Sequence, residues 1–278
     1  MKLSTIDTGF FKLDGGAMFG VVPKSIWNKI NPADERNLCT WAMRCLLVET
    51  GDRLCLIDTG LGNKQDEKFF GHYEPHGGDL LSTLRQKKIS INDITDVFLT
   101  HLHFDHCGGA VQRSSDGKLL PQFPSATYYC HSKHWETATR PNAREKASFL
   151  KENILPLQES GKLVLLDEEK EVLPGLTFLT VSGHTDSMML PLIDYNGTKV
   201  LYMADLVPAA GHIPIPYVMA YDMHPLQTMN EKEQILSRAA DENWVLYFEH
   251  DPKIEACTLQ RTEKGIRLKE QIRVADMG

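Results

Sequence analysis

Apolar and polar residues alternate along residues 2–12, and this period of two predicts a strand entering the fold. Residues 41–49 (WAMRCLLVE) and 53–58 (RLCLID) are β-rich runs separated by Thr50-Gly51-Asp52, a hairpin signal. Helical spacing follows over 79–88 (DLLSTLRQKK), which begins after Gly77-Gly78 and ends in basic residues. A short apolar strand at 96–100 (DVFLT) comes next, then a strand at 126–130 and a helix from 132 to 137 with Ser132 as its N-cap. The pattern predicts a longer helix over 142–158 and strands at 162–166, 176–181, 188–195 and 198–203, the last two joined by Asn196-Gly197. A helix at 230–241, a strand at 244–248 and a hairpin turning at Lys264-Gly265 complete the chain. Strands outnumber helices, and helices separate groups of strands. That arrangement suits two mixed sheets packed face to face with helices outside, an αββα sandwich of the α/β (α+β) class, taken as one domain over residues 1–278.

Composition narrows the functional classes. With 42% hydrophobic and 24% charged residues, the chain can build a core without disulfides. Its six cysteines form no CxxC pair, which argues against a redox motif or a cysteine-held structural zinc. The first residues lack the continuous apolar stretch of a signal peptide, and no run is long enough for a membrane span. Reduced thiols and no leader together lead us to expect a cytoplasmic protein with no membrane partner. The net charge of −7, with Lys and Arg dispersed, argues against a nucleic-acid partner and for a small-molecule substrate.

The chemistry concentrates in Thr100-His101-Leu102-His103-Phe104-Asp105-His106-Cys107-Gly108-Gly109, directly after an apolar strand. Imidazole nitrogen and carboxylate oxygen are ligands that zinc and similar cations accept. In an extended segment residues i and i+2 share a side, so His101 and His103 can reach one ion. A turn eased by Gly108 and Gly109 then brings Asp105 and His106 to a second. This run cannot saturate two ions alone. Later strands each stop at a further ligand type: His184 after Val181-Ser182-Gly183, Asp205 after Tyr202-Met203-Ala204, and His250 after Tyr247-Phe248-Glu249.

These motifs, with Leu56-Ile57-Asp58-Thr59-Gly60 upstream, resemble the metallo-β-lactamase superfamily over roughly residues 40–251. The resemblance implies the αββα fold with a two-metal site at one edge. It implies that His101, His103 and His184 hold one ion, that Asp105, His106 and His250 hold the other, that Asp205 bridges them, and that Asp58 orients a ligand through hydrogen bonds. Ligand spacing and the stretch GHTDSMM are most similar to the group containing methyl parathion hydrolase and N-acyl-homoserine lactonases. One departure is Pro208, where a lactonase subgroup carries a tyrosine three residues after the bridging aspartate.

The expected enzyme is therefore a dinuclear metallohydrolase in which a hydroxide shared by the ions attacks a small neutral ester, lactone or phosphotriester. The expected ions are zinc, with iron, manganese or cobalt compatible with the same ligands. Asp205 fixes the bridge and Asp105 passes the proton to the leaving group. RNA-processing nucleases and mononuclear iron dioxygenases of the same fold are the alternatives. Two apolar segments, 17–30 and 207–221, read as pocket walls or a homodimer contact, which makes Phe19, Trp27, His212, Tyr217 and Tyr221 candidate substrate contacts.

Overall fold

The computed structural model describes residues 1–278. The first half supplies β1 (Lys2–Asp14), β2 (Leu38–Thr50), β3 (Arg53–Ile57), β4 (Asp96–Phe98), a small hairpin β5 (Val111–Arg113) and β6 (Leu119–Pro121), then β7 (Thr127–His131) and β8 (Leu163–Leu166). The second half supplies β9 (Leu176–Val181), β10 (Met188–Tyr195), β11 (Thr198–Tyr202), β12 (Val245–Tyr247), β13 (Ala256–Thr262) and β14 (Gly265–Ile272). They form two six-stranded sheets, ordered β1-β2-β3-β4-β7-β8 and β14-β13-β12-β11-β10-β9. Each is mixed, with β3, β4, β7 and β8 parallel in the first and β11 and β12 parallel in the second.

The apolar run of β2 has a direct explanation. Leu46 and Val48 point into the core between the sheets, whereas Cys45 and Leu47 point into a second core on the outer face of the first sheet. Burial on both faces replaces polar alternation with a continuous hydrophobic stretch. The helices are α1 (Gly15–Phe19), α2 (Lys24–Trp27), α3 (Glu67–Tyr73), α4 (Leu80–Gln86), α5 (Phe104–Cys107), α6 (Ser132–Thr139), α7 (Lys151–Glu159) and α8 (Pro225–Asp241). Leu80 and Leu84 of α4, Trp135 of α6 and Ile154 of α7 cover that outer core. On the second sheet, α8 packs against β13 and β14. The αββα layering expected from the chain is what forms.

Three expectations need correction. The helix expected over 142–158 begins only at Lys151. The Asn142 side chain accepts the amides of Arg144 and Glu145 at 2.8 and 3.1 Å, and Lys146 donates to the Asn142 carbonyl, so a capped turn forms here, but it stops before Lys151. The cap of α6 is His131, whose Nδ1 accepts the Lys133 amide at 3.2 Å, and Ser132 is already helical. Finally, α8 starts at Pro225 rather than near 230, because proline's fixed φ and missing N–H suit a first turn. The segment 17–30, aperiodic in sequence, is two short helices, and α3, capped by Asp66, was not anticipated.

All six cysteines are buried and free, and no helix is long and apolar enough to cross a membrane. The two sheets are stitched together at one edge. Ala42 and Arg44 of β2 donate their amides to the carbonyls of His250 and Glu249 at 3.1 and 3.0 Å. The buried Arg44 guanidinium reaches the carbonyls of Phe248 and Asp251 at 3.0 Å. Gly108 lies against the Leu61 carbonyl so closely that a Cβ would collide with backbone. Gly108→Ala should therefore lower unfolding stability by about 1–3 kcal/mol, the usual cost of overpacking. A lower urea midpoint at unchanged slope is the expected readout; an unchanged midpoint contradicts this contact.

Candidate metal centre

The ends of β3, β4, β9, β11 and β12 converge at the stitched edge, and each delivers side chains to one place. After β4 the chain runs through His101 and His103 into the single turn of α5, which carries Asp105 and His106. The amide between the two histidines, that of Leu102, donates to His134 Nε2 at 2.8 Å, while His134 Nδ1 donates to the Asp186 carbonyl at 2.7 Å. Burial lowers His134 to about 3, so it stays neutral in the tautomer those bonds require.

Two adjoining groups of ligand atoms result: His101, His103, His184 and Asp205 in one, and Asp105, His106 and His250 in the other. All seven residues are buried. Asp205 reaches both groups. Its Oδ2 stands 3.1 Å from His184 Nε2, and its Oδ1 stands 3.2 Å from His250 Nε2 and 3.5 Å from His106 Nε2.

Contacts on the outer side of four of the five histidine rings decide what faces inward. His250 Nδ1 donates to the Ala42 carbonyl at 2.7 Å, which leaves a lone pair on Nε2. His184 Nδ1 donates to Asp222 at 2.9 Å. His106 Nδ1 lies 2.9 Å from Glu249 and 3.2 Å from Asp58. Thr100 Oγ1 donates to Asp58 at 2.6 Å and so accepts from His101 Nδ1 at 3.1 Å. Only His103 is reversed: its Nδ1 is 3.2 Å from His184 Nε2, and its Nε2 faces Glu145 at 3.7 Å, too far for a direct bond. Inward-facing lone pairs such as those of His106 and His250, 3.2 Å apart, repel one another unless a cation or protons lie between them. His101 Nε2 and Asp205 Oδ1 have no hydrogen-bond partner despite full burial. Nitrogen and oxygen donors of this kind, tethered from behind, fit divalent metal ions.

The charge distribution says the same. Burial opposes protonation of His184 and His250, yet Asp205 overcomes it and holds them up to about 10 and about 9. Asp205 is itself opposed by burial but held well below the usual carboxylate range by His106, His184 and His250. Burial pushes Glu249 up to about 8, with His106 pulling it back.

Above the groups opens a cavity of about 280 Å³. Its walls include Leu13, Met18, Tyr73, Phe104, Met219 and Tyr221, with Asp105, Asp205 and His250 in the floor. Of the expected substrate contacts only Tyr221 borders it. Phe19 is fully buried, stacked 5.5 Å from Trp27 and 4.6 Å from His212, so these rings support the site from beneath. The turn of α1 sends Met18, rather than Phe19, into the cavity. Tyr217 packs against the same aromatic cluster. Sequence reasoning missed Tyr73, His134, Glu145, Asp222 and Glu249. Glu249 sits beside His250 and His134 lies on the expected helix from 132, but Tyr73, Glu145 and Asp222 lie on segments whose path no periodicity reveals.

A fold of two packed sheets with this cluster at one edge defines a metal-dependent hydrolase. The chain belongs to the metallo-β-lactamase superfamily, whose sequence model matches residues 44–250. An N-acyl homoserine lactonase from Bacillus cereus is 25% identical over 210 residues, covering 67% of this chain and 75% of the relative. The crystal structure of a probable metal-dependent hydrolase from Staphylococcus aureus is 29% identical with a TM-score of 0.88, covering 98% of both chains. AidC, a dizinc quorum-quenching lactonase, shares the fold at 24% identity and a TM-score of 0.79, over 98% of this chain and 94% of that one.

Asp58 accepts from the Thr100 amide and hydroxyl at 2.8 and 2.6 Å and stands behind His106. Asp58→Asn should weaken zinc binding about 10–100-fold in chelator competition, with the fold retained; unaltered affinity contradicts its orienting role. Because His184 and His250 are held up to about 10 and about 9 without a cation, binding at pH 7.5 must displace protons. Affinity should rise with pH from neutrality upward as His184, His250 and His106, all held up by neighbouring carboxylates, give up their protons. Calorimetry in buffers of different ionisation heat should register the release, and a buffer-independent heat contradicts it.

Proposed function

We propose that the chain is a dinuclear hydrolase of small, neutral, largely apolar esters, with N-acyl-homoserine lactones or other lactones first and phosphotriesters second. The observation that carries this reading is the pair of donor groups, shared by Asp205, lying in the floor of an apolar-walled cavity. The Bacillus lactonase likeness supports it. The two donor groups would hold two divalent cations such as zinc, which when bound would supply a hydroxide nucleophile at neutral pH and polarise the acceptor oxygen.

The residues of the chain do the rest. Asp205 presents one oxygen to each donor group and so fixes their separation. Asp105 borders the cavity, and in this reading it holds the proton destined for the leaving group. Tyr73 and Tyr221 border it too and carry hydroxyls, which Pro208 does not. Burial raises the Tyr73 phenol up to about 12, so it remains an O–H donor for a developing oxyanion. Leu13, Met18 and Met219 offer an apolar, adaptable surface to an acyl chain. The six buried thiols suit a reducing, cytoplasmic setting.

The zinc- or cobalt-loaded protein should open N-acyl-homoserine lactones in a panel that also contains paraoxon-type triesters and simple aryl esters. His103→Ala and Asp205→Ala should each lower kcat/KM by at least about a hundredfold with the fold intact, as removal of even outlying metal-site partners does. Exhaustive chelation should abolish turnover and zinc should restore it. Turnover that survives chelation, or a loaded protein inert on the whole panel, contradicts the proposal.

A further inference from the structure

One lysine of the chain lies deep inside the protein and takes no part in the chemistry described so far. Lys232, in the middle of α8, is completely buried. Its ammonium donates to the carbonyls of Pro214, Ile215 and Tyr217 at 2.9, 3.2 and 2.8 Å. Three acceptors use all three N–H bonds of the charged form, whereas a neutral amine has two. Burial pulls the group down to about 7 and Asp222 opposes this; the three carbonyls add to the preference for the ammonium.

The segment so held has no regular structure of its own. Pro214 and Pro216 lack amide donors, and no strand or helix covers residues 213–222. Its main-chain bonds are few: Ile213 to Ala210, Tyr217 to Pro214, Val218 to Pro216, Asp222 to Met219, and Ala220 outward to Ala17 of α1; besides Lys232, the Arg144 side chain holds the carbonyls of Ala220 and Asp222 at the far end. The same segment ends in Met219, Ala220 and Tyr221, which border the cavity, and in Asp222, which receives His184 Nδ1.

The residue beside Lys232 completes the arrangement. Glu231 accepts the amides of Ser182 and Gly183 at 2.8 and 2.9 Å, immediately before His184. Gly183 lies so close to Thr228 that a Cβ would strike its backbone. Two consecutive side chains of α8 therefore hold two different parts of the site, one the segment carrying a ligand and the other the cavity wall.

We propose that Lys232 is a positioning residue that fixes the 214–221 wall over the metal centre and so determines which acyl groups the cavity accepts. It touches neither substrate nor cation. Its effect runs through the carbonyls of the wall, and it should act on substrate binding rather than on the chemical step. Glu231, by contrast, acts on the segment that carries His184. The inference rests on the proposed hydrolase reading for its kinetic arm only.

Hydrogen exchange on the zinc-loaded protein tests it without any substrate. In Lys232→Met, the amides of Tyr217, Val218 and Ala220 should exchange at least about tenfold faster, with strand amides unaltered and the zinc content that of the wild type. KM for long-chain lactones should rise about tenfold while kcat stays within about threefold. Glu231→Ala should show the reverse pattern: weaker zinc retention with little loss of wall protection. If Lys232→Met does not fold, Lys232→Gln, whose amide serves two of the three carbonyls, must show the same local exchange. Wild-type protection of the wall in the folded variant overturns the proposal, and so does an increase spread evenly over the molecule. Should the wild type turn over no ester at all, the functional reading fails while the exchange data still decide the role of Lys232.

Discussion

Everything at the site follows from one constraint: buried imidazole lone pairs and a carboxylate are made to face one another at about 3 Å. Such an arrangement persists only where something positive lies between the groups and something behind each ring prevents it from turning away. The fold supplies the second condition. The Ala42 carbonyl, Asp222, the Asp58–Thr100 pair and Glu249 each take the outward nitrogen of a different histidine or stand against it. The sheets exist, from the viewpoint of function, to bring those backing groups to one edge.

Holding them there costs backbone freedom. Asp58 sits at φ +58°, just past β3, and Ala204 at φ +41°, just before Asp205. Left-handed conformations of residues other than glycine cost about 1–3 kcal/mol each and persist only where the surroundings over-determine them. Here the surroundings are the parallel strand pairs β3–β4 and β11–β12, whose ends define the site from opposite sheets.

The sequence exposed this centre well and its walls poorly, for a physical reason. Strands with a period of two, or with apolar faces on both sides, were visible directly, and every one of the seven cluster residues stands just past such a strand or in the turn that follows. A ligand at a strand end inherits the predictability of the strand. Asp222, Glu145 and Tyr73 inherit nothing of the kind. Asp222 and Glu145 lie in aperiodic loops, Tyr73 ends a short helix, and the parts they play depend on which distant segment passes nearby. The misread helix at 142–150 shows the cost: local propensity pointed to a helix, but the Asn142 turn brings Glu145 and Ser148 to the cavity instead. Apolar character likewise marked 17–30 and 207–221 as important without distinguishing Met18, which lines the cavity, from Phe19, which supports it.

Anomalous X-ray scattering at the zinc edge, from crystals of the zinc-loaded protein, tests the central claim most directly. The account predicts two peaks about 3.5–4 Å apart, one among His101, His103 and His184, the other among Asp105, His106 and His250, with Asp205 touching both. A single peak, or peaks bound away from these side chains, contradicts it.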